Sequence, residues 1–177
     1  RSCLADFGEQ RNAMGAIYPM AAYTLRVNGE AHDLDTDPAK PLVYVLRGEL
    51  GLTGPKIGCA LEQCAACAVL VDGEHTLSCN RAASEFEGTE ITTIEGLAED
   101  AIGARIQDAF MAENAAQCGY CTPGIIVAVA SLLKSNPGPS DGDISEALAD
   151  HLCRCGSHNR VLRAVRNAIS GGQADAA

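Results

Sequence analysis

From Tyr23 to Val27 apolar and polar residues alternate, with Tyr23, Leu25 and Val27 set against Thr24 and Arg26. That is the period of a strand with one buried face. Asn28-Gly29 follows, and because both residues tolerate positive φ the pair predicts a two-residue hairpin turn with a return strand over Glu30 to Leu34. Asp37-Pro38 breaks the pattern, and Leu42, Val43, Leu46 and Leu50 then recur at helical spacing. After a loop over 51–58, Ala68 to Val71, the turn Asp72-Gly73 and Glu74 to Ser78 read as a second hairpin, and Thr89 to Thr93 as a last short strand. Two hairpins with a helix packed across them describe a small α+β unit with a cysteine-rich loop at one edge.

Around Glu95 to Ala98 the spacing becomes helical only. Ile102, Ile106, Ala109 and Phe110 mark one face of a first helix. Thr122 is placed to cap a second, with Pro123 in the first turn, running through Ile125, Val129 and Leu132-Leu133 until Asn136-Pro137-Gly138 ends it. Ser140 with Asp143 reads as the capping box of a third, through Ile144, Leu148 and Leu152. Leu162, Val165 and Ile169 stripe a fourth, stopped by Gly171-Gly172. The expectation is an α+β segment over 21–95, a four-helix bundle over 96–172 and a frayed tail over 173–177. Residues 1–20 begin with Arg and lack periodicity, and Met20-Ala21-Ala22 resembles a natural start. They are expected to be a loosely ordered extension, tag or leader, in which Cys3 is incidental.

Composition narrows the reading. At 177 residues the chain holds one ordinary domain or two small ones, and with 4% aromatic residues and no Trp the core must be aliphatic and Ala-rich. A formal net charge of -10 argues against nucleic acid or an anionic membrane surface as partner. No apolar run approaches the roughly 20 residues of a direct membrane span. A cytoplasmic location is expected, with periplasmic or membrane-associated placement, by export alongside a partner, as the alternative.

Eight of the nine cysteines fall into two sets of four. Cys59, Cys64, Cys67 and Cys79 are separated by four, two and eleven residues, and the first three match the plant-type run that ligates a 2Fe-2S cluster. Cys118 and Cys121, then Cys153 and Cys155, form two close pairs, each of which, read in sequence, puts two thiolates on one metal centre. Thiolate, soft and anionic, matches ferric iron and sulfide. Backbone amides in the crowded loop from Ile57 to Cys67 can hydrogen-bond sulfur and tune its potential. Four thiolates also satisfy zinc, and the second set is the less exclusive pattern. Disulfides are disfavoured, because pairs separated by one or two residues make strained bridges and the segment Arg1 to Pro19 has no apolar core of a signal peptide.

The motifs Gly58-Cys59-x4-Cys64-x2-Cys67, Gln117-Cys118-Gly119-Tyr120-Cys121-Thr122-Pro123-Gly124 and Leu152-Cys153-Arg154-Cys155, in this order, carry a resemblance over about Tyr23 to Ile169. The chain resembles the small iron-sulfur subunit of the molybdenum hydroxylases, the xanthine oxidase and aldehyde oxidoreductase family. The resemblance implies an N-terminal β-grasp, ferredoxin-like domain and a helical domain, each holding one 2Fe-2S cluster. Cys59, Cys64, Cys67 and Cys79 would ligate the first, and Cys118, Cys121, Cys153 and Cys155 the second. It implies a large catalytic subunit carrying a molybdopterin cofactor, with the side chain of Gln117 hydrogen-bonded to the pterin and the sulfur of Cys155 accepting from it. Substrate, an N-heterocycle or an aldehyde, would be oxidised on that other subunit, and this chain would relay electrons outward with no catalytic residue of its own.

Gly156-Ser157-His158, where flavin-linked members read Thr-Gly-Tyr, looks like the isoquinoline oxidoreductase and nicotinate dehydrogenase branch. The implied acceptor there is a cytochrome c or membrane carrier, and a flavin subunit with FAD is the less favoured alternative. Ala60 and Ala65 stand where family members usually have Gly, so positive φ at either would add strain of roughly 1 kcal/mol or more. A freestanding two-cluster ferredoxin and a zinc-bound structural module are the other functional classes.

Several further residues have open readings. His151 and His158 are expected to cap helices or lie at the surface, and Tyr120 to pack. Arg154 is expected to neutralise cluster charge, to pair with cofactor phosphate or to face a partner carboxylate. Lys56 is expected to offset the first cluster's charge or to be solvated. Glu85, Glu87, Glu90, Glu95, Glu99 and Asp100 read as a solvated face, with docking of a basic acceptor as the minority reading.

Overall fold

The computed structural model describes residues 20–174, with side chains through 171. Cys3 and the rest of 1–19 lie outside the described residues. The first hairpin is β1 (Ala21–Val27) and β2 (Glu30–Thr36), paired antiparallel from Ala21 opposite Thr36 to Val27 opposite Glu30. The turn forms as expected, with φ of 53° at Asn28. Helix α1 (Leu42–Gly48) follows, then the second hairpin, β3 (Ala68–Val71) and β4 (Glu74–Leu77), turning with φ of 51° at Asp72. The last strand, β5 (Glu90–Thr92), joins what the sequence left as two separate hairpins. It pairs parallel with β1 and antiparallel with β3, giving one five-stranded sheet in the order β2-β1-β5-β3-β4. Three residues of strand carry too little periodicity to announce that role.

The two faces of the sheet have different cover. Tyr23, Leu25, Val27, Val69 and Ile91 pack with Leu42, Val45 and Leu46 of α1 and with Phe86, which sits in a 3-10 turn, Ala83–Phe86, that the sequence did not announce. On the other face Ala68 and Leu70 join the core of the helical half, against Leu97, Ile106, Phe110, Ile125 and Val129. Strand β3 is therefore buried on both sides, which explains an unbroken apolar Ala68-Val69-Leu70 in place of alternation. The helices pack on one another around this core, and α3 also lies on β3 and β4. Ser131 of α3 fixes the contact: its hydroxyl accepts from the His75 amide at 3.1 Å and donates to the Gly73 carbonyl at 3.3 Å.

Four helices follow the sheet: α2 (Ala101–Ala112), α3 (Thr122–Ser135), α4 (Asp141–Ala147) and α5 (His158–Ala174). The Ser140/Asp143 capping box is present. Three boundaries differ from expectation. Thr122 is the first residue of α3 rather than its cap, and Cys121 takes the cap position. Helix α4 stops at Ala147, so the chain from Leu148 to Leu152 is free to turn and present Cys153 and Cys155. Helix α5 runs through Gly171-Gly172 to Ala174, since single glycines lower helix stability by only about 1 kcal/mol and do not by themselves end one. Its buried stripe is Val161, Ala164, Val165 and Ala168, with Leu162 and Ile169 only partly covered.

Candidate metal centres

Two loops present the first four cysteines: Cys59, Cys64 and Cys67 between α1 and β3, and Cys79 just after β4. Arg47, in the last turn of α1, ties the loop at its base by donating from Nη1 to the carbonyls of Thr53 at 2.7 Å and Pro55 at 2.8 Å. Lys56 closes it further, its amide donating to the Ala66 carbonyl at 2.9 Å and its ammonium to that of Thr53. Between these ties the backbone turns left-handed at Ala60, Glu62 and Ala65, with φ of 53°, 57° and 52°. The turns aim amides at sulfur: Leu61 and Gln63 donate to Cys59 Sγ at 3.3 and 3.2 Å, and Cys59 donates to Cys64 Sγ at 3.3 Å. A Cβ at Gly58 would stand 2.6 Å from Cys64 Sγ, so the chain can pass there only as glycine. Desolvation pushes the Cys59 thiol up, but the two amides outweigh it and bring it down to about 7. Cys67 and Cys79 are buried with Val43, Ile57 and Leu77, and desolvation pushes the Cys67 thiol up to about 11.

The second four sit at helix ends. Cys118 and Cys121 occupy the turn before α3, and Cys153 and Cys155 the loop between α4 and α5. Their contacts run across the sequence pairs: Cys118 meets Cys155 and Cys121 meets Cys153. In the first set the contacts are Cys59 with Cys64 and Cys67 with Cys79. Among the described residues no three Cys, His, Asp or Glu side chains gather around one ion-sized point. Within the second set Cys118 also stands near Cys121 and Cys153, so the four thiols form one group.

Ser157 was not singled out by the sequence as a site residue. It is only 4% exposed, and its Oγ lies 3.5 Å from Cys153 Sγ. Desolvation acts upward on both thiols of this contact. Cys121 ends at about 11, raised further by Cys153, while the hydroxyl and amide of Ser157 bring Cys153 down to about 6. The available signal was a small polar residue two positions past the last cysteine, at the start of α5.

Three contacts join the two sites. The Leu152 amide donates to the Cys64 carbonyl at 3.3 Å, and the Tyr120 hydroxyl donates to the Ile57 carbonyl at 2.6 Å. Gly124, in the first turn of α3, lies so close to the first loop that a Cβ would stand 2.3 Å from the Ala65 carbonyl oxygen. A single cleft of about 210 Å³ is lined by Cys59 and Cys64 from one set and by Cys118, Cys121 and Cys153 from the other, with Tyr120, Leu152 and Arg154.

Other expectations are corrected by the geometry. Tyr120 is 48% exposed and serves as a tie between loops rather than as core packing. His151 is buried, not at the surface; its ring meets that of His75 edge to face at 5.3 Å, and burial followed by His75 lowers it to about 4. His158 is exposed at the start of α5, and Gln117 is exposed beside Cys118. The acidic stretch is largely solvent-exposed, as expected, and most of its carboxylates also accept hydrogen bonds. Glu87 accepts from the Thr24 amide, Glu90 from the Gly29 amide and from Arg26, Glu95 from the Gly54 amide and the Thr93 hydroxyl, and Asp100 caps α2. Glu85 pairs with Arg81. Among the described residues no helix is long and apolar enough to cross a membrane.

Residues 93–166 match the 2Fe-2S binding domain family. The chain is 46% identical to one of the subunits of nicotinate dehydrogenase from Pseudomonas putida over 145 residues, 82% of this chain and 92% of that one. Its fold superimposes on quinoline 2-oxidoreductase from Pseudomonas putida with a TM-score of 0.80 and 33% identity, covering 87% of this chain and 96% of that chain. Aldehyde oxidoreductase from Desulfovibrio desulfuricans gives a TM-score of 0.80 and 38% identity over 88% of this chain, but the match spans only 17% of that much longer polypeptide.

Proposed function

The chain belongs to the small iron-sulfur subunits of the molybdenum hydroxylases, and on that premise we propose that it holds two 2Fe-2S clusters and relays electrons from a molybdopterin-bearing catalytic subunit to an external acceptor. Cys59 with Cys64 and Cys67 with Cys79 hold the first, and Cys118 with Cys155 and Cys121 with Cys153 the second. The observation that carries this reading is the gathering of four cysteines at each of two neighbouring places in the fold, the second within the stretch that matches the 2Fe-2S binding domain family. A two-iron cluster takes four thiolates, two on each iron. When bound, such a cluster accepts and passes on one electron at a time.

The chain's own residues do the rest. The amides of Leu61 and Gln63 and the hydroxyl of Ser157 stabilise negative charge on sulfur. The hydrogen bond from Leu152 to Cys64 gives a short route, with a single hydrogen-bond step, from the Cys153 backbone to the first loop. Gln117, exposed beside Cys118, offers an amide to the pterin of the catalytic subunit, and Cys155 offers a sulfur acceptor. Substrate binds on that subunit, and the likeness to nicotinate dehydrogenase favours an N-heterocycle over an aldehyde.

The test is an EPR spectrum of the dithionite-reduced protein with spins integrated per chain. Two distinct S = 1/2 signals together near two spins support the proposal. One signal confines it to a single site, and no signal with bound zinc ends it.

A further inference from the structure

Arg154 is exposed between Cys153 and Cys155 and lines the cleft that both cysteine sets share. Most cations elsewhere in the described residues are engaged. Arg26, Lys40, Arg81, Lys134, Arg163 and Arg166 form ion pairs, while Arg47, Lys56 and Arg160 donate to backbone carbonyls. Arg154 makes no ion pair and no hydrogen bond to another described residue, in a chain with 23 acidic and 13 basic side chains. The only anions its cleft can present are thiolates: Cys59 and Cys64 on one wall, and Cys118, Cys121 and Cys153 on the other.

Resting on the two-cluster reading above, we propose that Arg154 is the shared counter-charge of the two sites, a positioning residue that raises both reduction potentials together. Eight thiolates converge on the two loop systems, and each one-electron reduction adds a further negative charge with no change of ligand. A guanidinium at the common cleft favours the reduced state at either site, because opposite charges attract more strongly near a partly water-excluded wall than in bulk water. Lys56, the other candidate for this work, is held away by its bond to Thr53. One cation serving both sites lifts the two potentials with the same sign, so an electron leaving one site for the other keeps its driving force.

The experiment is an EPR-monitored redox titration of the full chain, comparing wild type, Arg154→Gln and Arg154→Lys, with Arg26→Gln as a charge control far from the cleft. Arg154→Gln is expected to lower the reduced-to-oxidised ratio of both signals about tenfold at a fixed solution potential, a shift of about 59 mV for one electron. Arg154→Lys should stay close to wild type, and Arg26→Gln should not move either signal. Loss of clusters in Arg154→Gln while Arg154→Lys keeps them at wild-type potentials supports the same role. Both clusters present in Arg154→Gln at wild-type potentials, or equal shifts in the Gln and Lys variants, overturn it. If wild type itself shows no cluster signals, the two-cluster reading fails instead, and the two failures are not confused.

Discussion

The amide of Leu152 and the carbonyl of Cys64 meet at 3.3 Å, so the backbone immediately before one cysteine pair is hydrogen-bonded to a cysteine of the other set. The contact depends on how closely α3 approaches the first loop. Gly124 sets that approach, with no room for a Cβ against the Ala65 carbonyl. Gly124→Ala should force the two loop systems apart at a cost of about 1–3 kcal/mol, the range of core overpacking. Thermal unfolding should show a lower midpoint and EPR a reduced spin count from both signals. Wild-type stability with full cluster content would mean that the loops are not coupled through α3.

Ala60 and Ala65 both adopt positive φ, the strain anticipated from their place in the motif. Their surroundings differ. Ala60 is half-buried, while Ala65 is only 1% exposed and keeps a methyl in the core. Ala60→Gly should relieve roughly 1 kcal/mol of left-handed strain, partly offset by greater freedom of the unfolded chain. Ala65→Gly should gain nothing, because the lost buried methyl costs about 0.8 kcal/mol. The rate of iron release to a chelator reads the difference: slower than wild type for Ala60→Gly and unchanged for Ala65→Gly. Equal rates in the two variants would remove strain as the explanation.

Local chemistry made much of this legible in the sequence. Asn28-Gly29 and Asp72-Gly73 fixed both hairpins because only a few residues accept positive φ, and Ser140 with Asp143 marked a helix start because both satisfy orphan amides. What escaped was long-range. The parallel pairing of β5 with β1, the crossed contacts Cys118–Cys155 and Cys121–Cys153, and the burial of His151 against His75 all depend on segments far apart in sequence. The left-handed turn at Glu62 likewise had no signal, since Glu is not a residue that seeks positive φ.

Asp100 links helix start to helix end. Its Oδ1 accepts from the Ile102 amide at 3.3 Å, and Lys134 Nζ stands 2.8 Å from Oδ2. That second contact is an ion pair rather than an aligned hydrogen bond, since Oδ2 has no partner in hydrogen-bonding geometry. Partial desolvation pushes its carboxyl up, but Lys134 and the amides of Ile102 and Gly103 outweigh it and hold it below the usual range. A depressed folded value means that the stabilisation is present above the unfolded value, near 3.9, and is lost as pH falls through the folded one. Asp100→Asn should therefore be less stable than wild type at pH 7, with the gap closing below about pH 4. Asp100→Ala should lose about 1 kcal/mol more by removing the cap. Urea unfolding at pH 7 and pH 3 measures both, and a gap that persists unchanged at pH 3 would assign the effect to packing.

Ser157 acts on one site only, which makes it the counterpart of Arg154. Its carbonyl accepts from the amides of Arg160 and Val161 at 2.9 and 3.0 Å and starts α5, a role that any residue's backbone can fill. Its hydroxyl, in contrast, lies 3.5 Å from Cys153 sulfur, and in the proposed cluster a ligating thiolate could only accept, so the hydroxyl would donate. Ser157→Ala should leave the helix intact and withdraw that donor from a sulfur whose charge increases on reduction. The potential of the second EPR signal should then become more negative while the first stays where it is, and Ser157→Thr should restore it. A shift of both signals would show that the variant disturbs the shared cleft, and no shift with both sites loaded would show that the Ser157 hydroxyl does not touch the electronic state of its neighbour.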